Sequence, residues 1–137
     1  MAIGRQLFLW ASENEWLESQ LTRRAFARRA VERFMPGETA EDALEAAETL
    51  GRGGMSTILT QLGENVEEPG AADDVMEHYL GVLGQIEGGD LDTDISIKPT
   101  QFGLDLGFDD ALERIRRVVQ RAGTMRRLVA IDMESSE

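Results

Sequence analysis

Apolar residues follow two different spacings along this chain, and the change between them predicts the secondary structure. Apolar residues at every third or fourth position are typical of amphipathic helices, whereas short β-branched or alternating runs are typical of strands. The helical spacing predicts helices over residues 5–34, 39–50, 71–86 and 109–121. The other spacing predicts strands over residues 55–62, 94–98 and 127–132.

Cap and stop signals place the ends of these helices. Ser12 with Glu15, and Thr39 with Asp42, each form an N-cap pattern in which an acidic residue follows a hydroxyl by three positions. The first pattern predicts that a second helical segment begins within residues 5–34. Glycines end the next two helices, because glycine readily adopts the conformations that terminate a helix.

Two of the predicted helices carry a clear apolar stripe that should pack against a core. The stripe of segment 71–86 consists of Val75, Met76, Tyr79, Leu80, Leu83 and Ile86. In segment 109–121 we expect Ala111, Leu112, Ile115, Val118 and Val119 to face inward and Arg114, Arg116, Arg117 and Arg121 to face outward.

Strands that alternate with helices predict an α/β fold with a parallel sheet and right-handed crossovers. The predicted fold is a partial TIM-type (β/α)8 barrel of about four parallel strands, preceded by N-terminal helices, if residues 34–36 form the first strand. The predicted domains are an N-terminal helical segment, 1–32, and the first half of a barrel, 33–137. The last strand has no helix after it, which predicts a chain truncated at its C-terminal end.

Charge and composition restrict the function further. The net charge of −12 argues against non-specific nucleic-acid binding, which requires a basic surface. No cysteine is present, so disulfides, thiolate metal ligands and a cysteine nucleophile are excluded, and we predict no metal site. No apolar run approaches a membrane span, and a cytoplasmic location is expected. Residues 1–35 carry six arginines against four glutamates, so peripheral contact with an anionic membrane surface is also considered.

Three charged residues follow three successive predicted strands: Glu64, Lys98 and Asp132, separated by 34 residues each. The carboxyl ends of parallel strands are where α/β barrels place their active sites. Lys98, the one lysine of the chain, is compatible with a structural salt bridge, a Schiff-base nucleophile or a cation that binds a substrate carboxylate or a flavin. Asp132 could act as a base, accept a hydrogen bond from a cofactor or pair with Lys98, and Glu64 has the same range of roles.

Four pieces of the chain together resemble the proline dehydrogenase family. They are Arg33-Phe34-Met35-Pro36-Gly37-Glu38-Thr39, Leu62-Gly63-Glu64, Ser96-Ile97-Lys98-Pro99-Thr100-Gln101-Phe102-Gly103-Leu104 and Ile131-Asp132-Met133-Glu134. Their order and spacing also fit this family of flavoproteins, which begins proline catabolism. Within residues 1–30 the resemblance is limited to a general helical character.

The resemblance implies an oxidoreductase that converts L-proline to 1-pyrroline-5-carboxylate, with FAD as the hydride acceptor and a quinone or another acceptor downstream. It places Lys98 beside the flavin and the proline carboxylate, and Asp132 and Met133 along the flavin. It also pairs Glu64 with an arginine of the substrate gate. The family's paired arginines and active-site tyrosines come from the second half of the barrel, so the fragment should be inactive alone.

The residue after Lys98 departs from the family pattern. Pro99 stands where an apolar residue is usual, and it should end the strand pairing because proline has no amide hydrogen. Two alternatives to the proline dehydrogenase interpretation also remain open. One is a Schiff-base barrel enzyme that uses Lys98, and the other is a non-catalytic half-barrel scaffold that dimerises.

Overall fold

The structure, a computed structural model, describes Gly37, residues 39–63 and residues 66–133, and the residues from Thr39 onward form one compact unit. Helices and strands alternate along it. Their order is α1 (Ala40–Arg52), β1 (Thr57–Thr60), α2 (Pro69–Gly88), β2 (Thr93–Ile97), a short 3-10 helix (Pro99–Phe102), α3 (Phe108–Thr124) and β3 (Val129–Ile131). The helices predicted over residues 5–34 and the strand predicted over 34–36 lie outside the described residues.

The three strands form one parallel sheet in the order β1-β2-β3. Strand β1 aligns Thr60 with Ser96 of β2, and β2 aligns Ile97 with Ile131 of β3. Helices α2 and α3 make the two crossovers, as parallel neighbours require. The predicted α/β fold with parallel strands and crossover helices is therefore confirmed for the described part of the chain.

Helix α1 begins where the sequence predicts, at a reciprocal cap. The Asp42 amide donates to the Thr39 hydroxyl, and the Asp42 carboxylate accepts from the Thr39 amide, both at 3.2 Å. These two bonds satisfy amides that the first helical turn leaves unpaired. The helix buries Leu44 and Ala47 against the rest of the unit.

Helix α2 supplies more buried residues to the core than any other described element, and its predicted stripe is confirmed with two additions. The stripe is buried or packed on the core, and Ala72 and Val82 are buried as well. Pro69 lies in its first turn, where a missing amide hydrogen is harmless, so the helix starts before the predicted residue 71. Its Leu83 and Ile86 are among the largest fully buried side chains of the described residues, together with Phe102, Ile95, Ile97 and Val118.

Helix α3 differs from the prediction at its flanks. Leu112 and Val119, expected inward, are 38% and 42% exposed. Arg114, expected outward, has only 12% of its side chain exposed, pairs with Asp73 at 2.6 Å and donates to the Phe102 carbonyl at 3.3 Å. Helix α3 packs against the core through a narrow face of small and β-branched residues. The flanking residues of the predicted stripe therefore lie at the border of this interface.

All three strands also differ slightly in extent from their predicted ranges, β1 and β3 being shorter. No helix in the described part of the chain is long and apolar enough to cross a membrane.

Candidate site at the carboxyl edge of the sheet

Strand β2 turns alternate residues to the two faces of the sheet. Thr93, Ile95 and Ile97 are buried, whereas the residues between them are partly exposed. Because side chains alternate along a strand, Lys98 continues the row of Asp94 and Ser96. Lys98 therefore belongs to the sheet face that points away from the buried row, which is the inner face in a closed barrel.

Lys98 and Asp132 come together at one edge of the sheet, here called the carboxyl edge. Each directly follows the last aligned pair of β2 and β3, Ile97 with Ile131. The Asp132 amide donates to the Ile97 carbonyl at 2.9 Å, so the parallel ladder continues up to this residue. The prediction that strand ends bring these two residues to one edge agrees with this register, although their functional roles remain predictions.

Of the other two predicted site residues, Met133 is described by the structure and Glu64 is not. Met133 follows Asp132 and is 76% exposed. Glu64 lies outside the described residues, and its predicted pairing with a gate arginine stays a prediction. Among the described residues, no cluster of three or more histidine or acidic side chains has a geometry that could hold a metal ion.

Pro99 ends strand β2, as its chemistry predicts. The backbone at Lys98 is still extended, and Pro99 then begins the 3-10 helix. The turn closes at Gly103, whose φ of 85° lies in the left-handed region that favours glycine. The segment 98–103, called the Lys98 turn below, is tied to Lys98 itself because the Gln101 amide donates to the Lys98 carbonyl at 3.1 Å.

A tyrosine hydroxyl lies between β1 and β2 at this edge, which the sequence did not predict. The Thr57 amide donates to the Asp92 carbonyl across the two strands, and the same parallel pattern, continued by four residues, would join the Gln61 amide to the Ser96 carbonyl. Instead, the Tyr79 hydroxyl accepts from the Gln61 amide at 3.1 Å and donates to the Ser96 carbonyl at 2.9 Å. This insertion explains why β1 ends at Thr60.

Gln101 makes the second unpredicted contact. Its side-chain amide donates to the carbonyls of Gln61 at 3.1 Å and Gly63 at 2.8 Å. The sequence pattern places Tyr79 in the core stripe and Gln101 in a family motif, and it predicts no separate role for either. The hydroxyl of Tyr79, a polar atom within an apolar stripe, was the sequence feature that could have indicated its hydrogen bonds. The residues next to Gln101 in the sequence gave no indication of its partners.

Charged groups with displaced pKa values lie at the opposite, amino edge of the sheet. The hydrogen bond from Arg121 to Glu87, at 2.7 Å, lowers the pKa of Glu87 and raises the pKa of Arg121. Hydrogen bonds from Ser56 at 2.7 Å and from Arg127 at 2.6 Å lower the pKa of Asp92. The Arg121–Glu87 and Arg127–Asp92 ion pairs thus lie where the strands begin, at the edge opposite Lys98 and Asp132.

A shallow cavity of about 130 Å³ also lies at the amino edge, lined by Ile86, Glu87, Asp90, Met125 and Arg127. Its volume is below the roughly 300 Å³ at which cofactor and ligand pockets begin. The carboxyl edge is the better candidate, because Lys98 and Asp132 follow two neighbouring strands there, and Asp132 and Met133 are exposed. This donor set fits part of a flavin site, in which anionic and hydrogen-bonding groups meet an apolar ring system.

A parallel sheet joined by crossover helices is the architecture expected of a segment of a (β/α)-barrel fold. Solved structures support this class. The chain matches a crystal structure of proline utilization A (PutA) from Bdellovibrio bacteriovorus, inactivated by N-propargylglycine, with a TM-score of 0.65 and 15% identity. The match covers 89% of this chain and 15% of that one, so it defines the fold as part of that protein's barrel.

Sequence comparison then finds homology to one family. The chain is 32% identical over 130 residues to proline dehydrogenase 1 of Bacillus subtilis subsp. natto, covering 95% of this chain and 43% of that protein. It is 28% identical over 133 residues to proline dehydrogenase of Deinococcus radiodurans, covering 95% of this chain and 42% of that protein. No family model matches the chain. The chain is thus homologous to the proline dehydrogenase family over about 95% of its length, which confirms the resemblance stated above.

The same comparisons define how much of such a protein is present. The chain spans less than half the length of the curated relatives it matches, so it is a partial domain.

Proposed function

We propose that this chain forms the first half of a proline dehydrogenase barrel and supplies part of its FAD and L-proline site. The observation that carries the proposal is the position of Lys98 and Asp132, side by side at the carboxyl edge of a sheet that is homologous to proline dehydrogenases. In barrel enzymes this edge holds the catalytic groups.

Each residue has a defined part in this proposal. The Lys98 ammonium binds the carboxylate of L-proline next to the flavin, since a cation at a strand end is a fixed anchor for an anion. Asp132 accepts a hydrogen bond from the flavin, and Met133 packs against its ring system. Glu64 forms an ion pair with an arginine from the other half of the barrel. FAD, when bound, accepts the hydride as L-proline is oxidised to 1-pyrroline-5-carboxylate.

Exposed apolar residues on the inner sheet face support the half-barrel part of the proposal. Ile58 and Leu128 are each 58% exposed, and by strand alternation they share the face of Lys98. Further βα units would cover these side chains and enclose the site. By itself the chain is expected neither to turn over L-proline nor to hold FAD tightly.

Electrons are proposed to leave the flavin for a quinone or another acceptor. The basic segment within residues 1–35 would then allow peripheral contact with an anionic membrane, at its inner face. Loss of liposome binding when the arginines of this segment are replaced would support that contact.

A chimaera tests the main proposal. Residues 39–133 replace the matching segment of the Bacillus subtilis relative, and proline-dependent reduction of a dye is measured. The chimaera should be active, and Lys98→Met should lower kcat/KM for L-proline roughly 10- to 100-fold, as expected for losing a charge-assisted hydrogen bond. Bound flavin is quantified from its absorbance in every variant.

The matched control removes an equally long cation from a distant surface. Arg52 is 71% exposed on α1 and pairs with Glu48 within its own helix, so Arg52→Met should leave kcat/KM unchanged. A folded, flavin-loaded chimaera without proline oxidation would overturn the proposal, as would full activity in Lys98→Met. Borohydride trapping of a carbonyl compound on Lys98 would instead favour the Schiff-base alternative.

A further inference from the structure

The residues that follow β1 are held by side chains from other elements rather than by the sheet. Residues 61–63, here called the β1 exit loop, contact the Tyr79 hydroxyl through the Gln61 amide and the Gln101 side chain through two carbonyls. The ladder bond expected between Gln61 and Ser96 is replaced by the bridging tyrosine. The position of the loop therefore depends on these side chains.

Gln101 connects this loop directly to Lys98. Its backbone amide donates to the Lys98 carbonyl, while its side chain donates to the Gln61 and Gly63 carbonyls. The residue is 2% exposed, so water cannot easily replace these bonds. Since its side-chain nitrogen reaches two acceptors, the orientation of the amide group is determined.

Burial of the Gln101 side-chain amide also has a free-energy cost, which its hydrogen bonds must offset. The Gln101 side-chain oxygen is buried and has no hydrogen-bond partner in the structure. A buried acceptor without a partner destabilises a fold, whereas an apolar residue of the same shape would avoid that cost. A glutamine at this place is thus better explained by the two carbonyls it binds than by core packing.

Gly63 provides the space for this contact. Its φ of 149° lies in the range that favours glycine, and a Cβ placed there would lie 3.1 Å from the Gln101 side-chain nitrogen. Phe102, the residue after Gln101, stacks on the Tyr79 ring with centroids 5.7 Å apart, which holds both side chains in place. These contacts therefore hold the β1 exit loop, the Lys98 turn and α2 together in one arrangement.

We propose that Gln101 is a positioning residue that clamps the β1 exit loop onto the Lys98 turn and thereby sets the location and exposure of the Lys98 ammonium. Its consequence for ligand binding rests on the proposed function of Lys98, but the clamp itself does not. Gln61 of this loop shares the Tyr79 hydroxyl with Ser96, two residues before Lys98, so the loop lies beside the end of β2. Release of the loop should therefore make the lysine more accessible.

Amine acetylation of the intact 137-residue chain tests the clamp, because Lys98 is its one lysine and mass spectrometry separates Lys98 from the N-terminal amine. Gln101→Met keeps the shape of the side chain but removes both donated bonds. We expect the acetylation rate of Lys98 to rise roughly tenfold, since two lost hydrogen bonds shift a local opening equilibrium by about an order of magnitude or more. The rate at the N-terminal amine should stay constant.

Two controls separate positioning from general destabilisation. Gln120→Met makes the same exchange at an exposed position of α3 and should leave the Lys98 rate unchanged. Val118→Ala creates a cavity in the core, where Val118 is fully buried, and lowers stability without touching the loop. A similar increase of the Lys98 rate in Val118→Ala, or an unchanged rate in folded Gln101→Met, overturns the proposal.

Gly63→Ala keeps the test decisive if Gln101→Met does not fold. The added methyl group acts in an exposed loop and pushes against the same amide, so it should raise the Lys98 rate in the same direction. An unchanged rate in Gly63→Ala would contradict the clamp. FAD binding and proline oxidation by the chimaera are measured separately, so failure of the proposed function and failure of the clamp give different results.

Discussion

The Tyr79 hydroxyl has a double role at the residue scale. Its ring belongs to the buried stripe of α2, where it is 2% exposed, and its oxygen bridges two strands where their own ladder would continue. A phenylalanine at this position would keep the packing of the ring but could not form the two hydrogen bonds between the strands. The hydroxyl therefore determines where β1 separates from β2, one residue before the exit loop begins.

Tyr79→Phe should lower the free energy of unfolding by about 1–3 kcal/mol, because the Gln61 amide and the Ser96 carbonyl lose their shared partner while the ring keeps the strands apart. Urea denaturation followed by circular dichroism measures the change. His78→Phe, the neighbouring position on α2 and only half-buried, is the control and should have a smaller effect. Equal stability of wild type and Tyr79→Phe would mean that the strands close and bond directly.

Elements were easier to predict than their ends. The cap at Thr39 and Asp42 is local in sequence, and α1 begins where the pattern places it. The end of β1 was overestimated because it depends on Tyr79, which lies 18 residues from Gln61. The predicted inward stripe of α3 was too broad for the same reason, since the width of its contact face is decided by α2 and the sheet.

Thr39→Ala should destabilise α1 by about 1 kcal/mol, because the amides of the first turn lose the reciprocal cap. Hydrogen exchange in residues 40–44 should become faster, and the protection of α2 should remain. Thr39→Ser retains the hydroxyl and serves as the matched control. If alanine and serine variants exchange alike, the cap does not stabilise this helix.

Ion pairs between elements act at the scale of the whole molecule. Arg121 on α3 joins Glu87 on α2, and Arg127 before β3 joins Asp92 before β2. The pKa values of both carboxylates are lowered in the folded chain, so their stabilising contribution is complete above the unfolded pKa of about 4. It is lost as the pH falls through the lowered folded values.

The difference in unfolding free energy between wild type and Asp92→Asn should therefore shrink when the pH is lowered from neutrality to below about 4. Asp90→Asn is the matched control, since this residue lies in the same connection and forms no ion pair with any residue that the structure describes. Urea titrations at several pH values, at constant ionic strength, provide the measurement. A difference that does not depend on pH would exclude the Asp92 ion pair as its source.

The sequence by itself determined the alternation of helices and strands, the cap of α1, the buried stripe of α2 and the arrival of Lys98 and Asp132 at strand ends. These features follow from periodicity and neighbouring residues, which act over a few positions. Only the tertiary structure decided the register that aligns Lys98 with Asp132, the tyrosine between β1 and β2, and the glutamine clamp. Such contacts join residues 17 to 40 positions apart, and their partners are selected by packing rather than by local pattern.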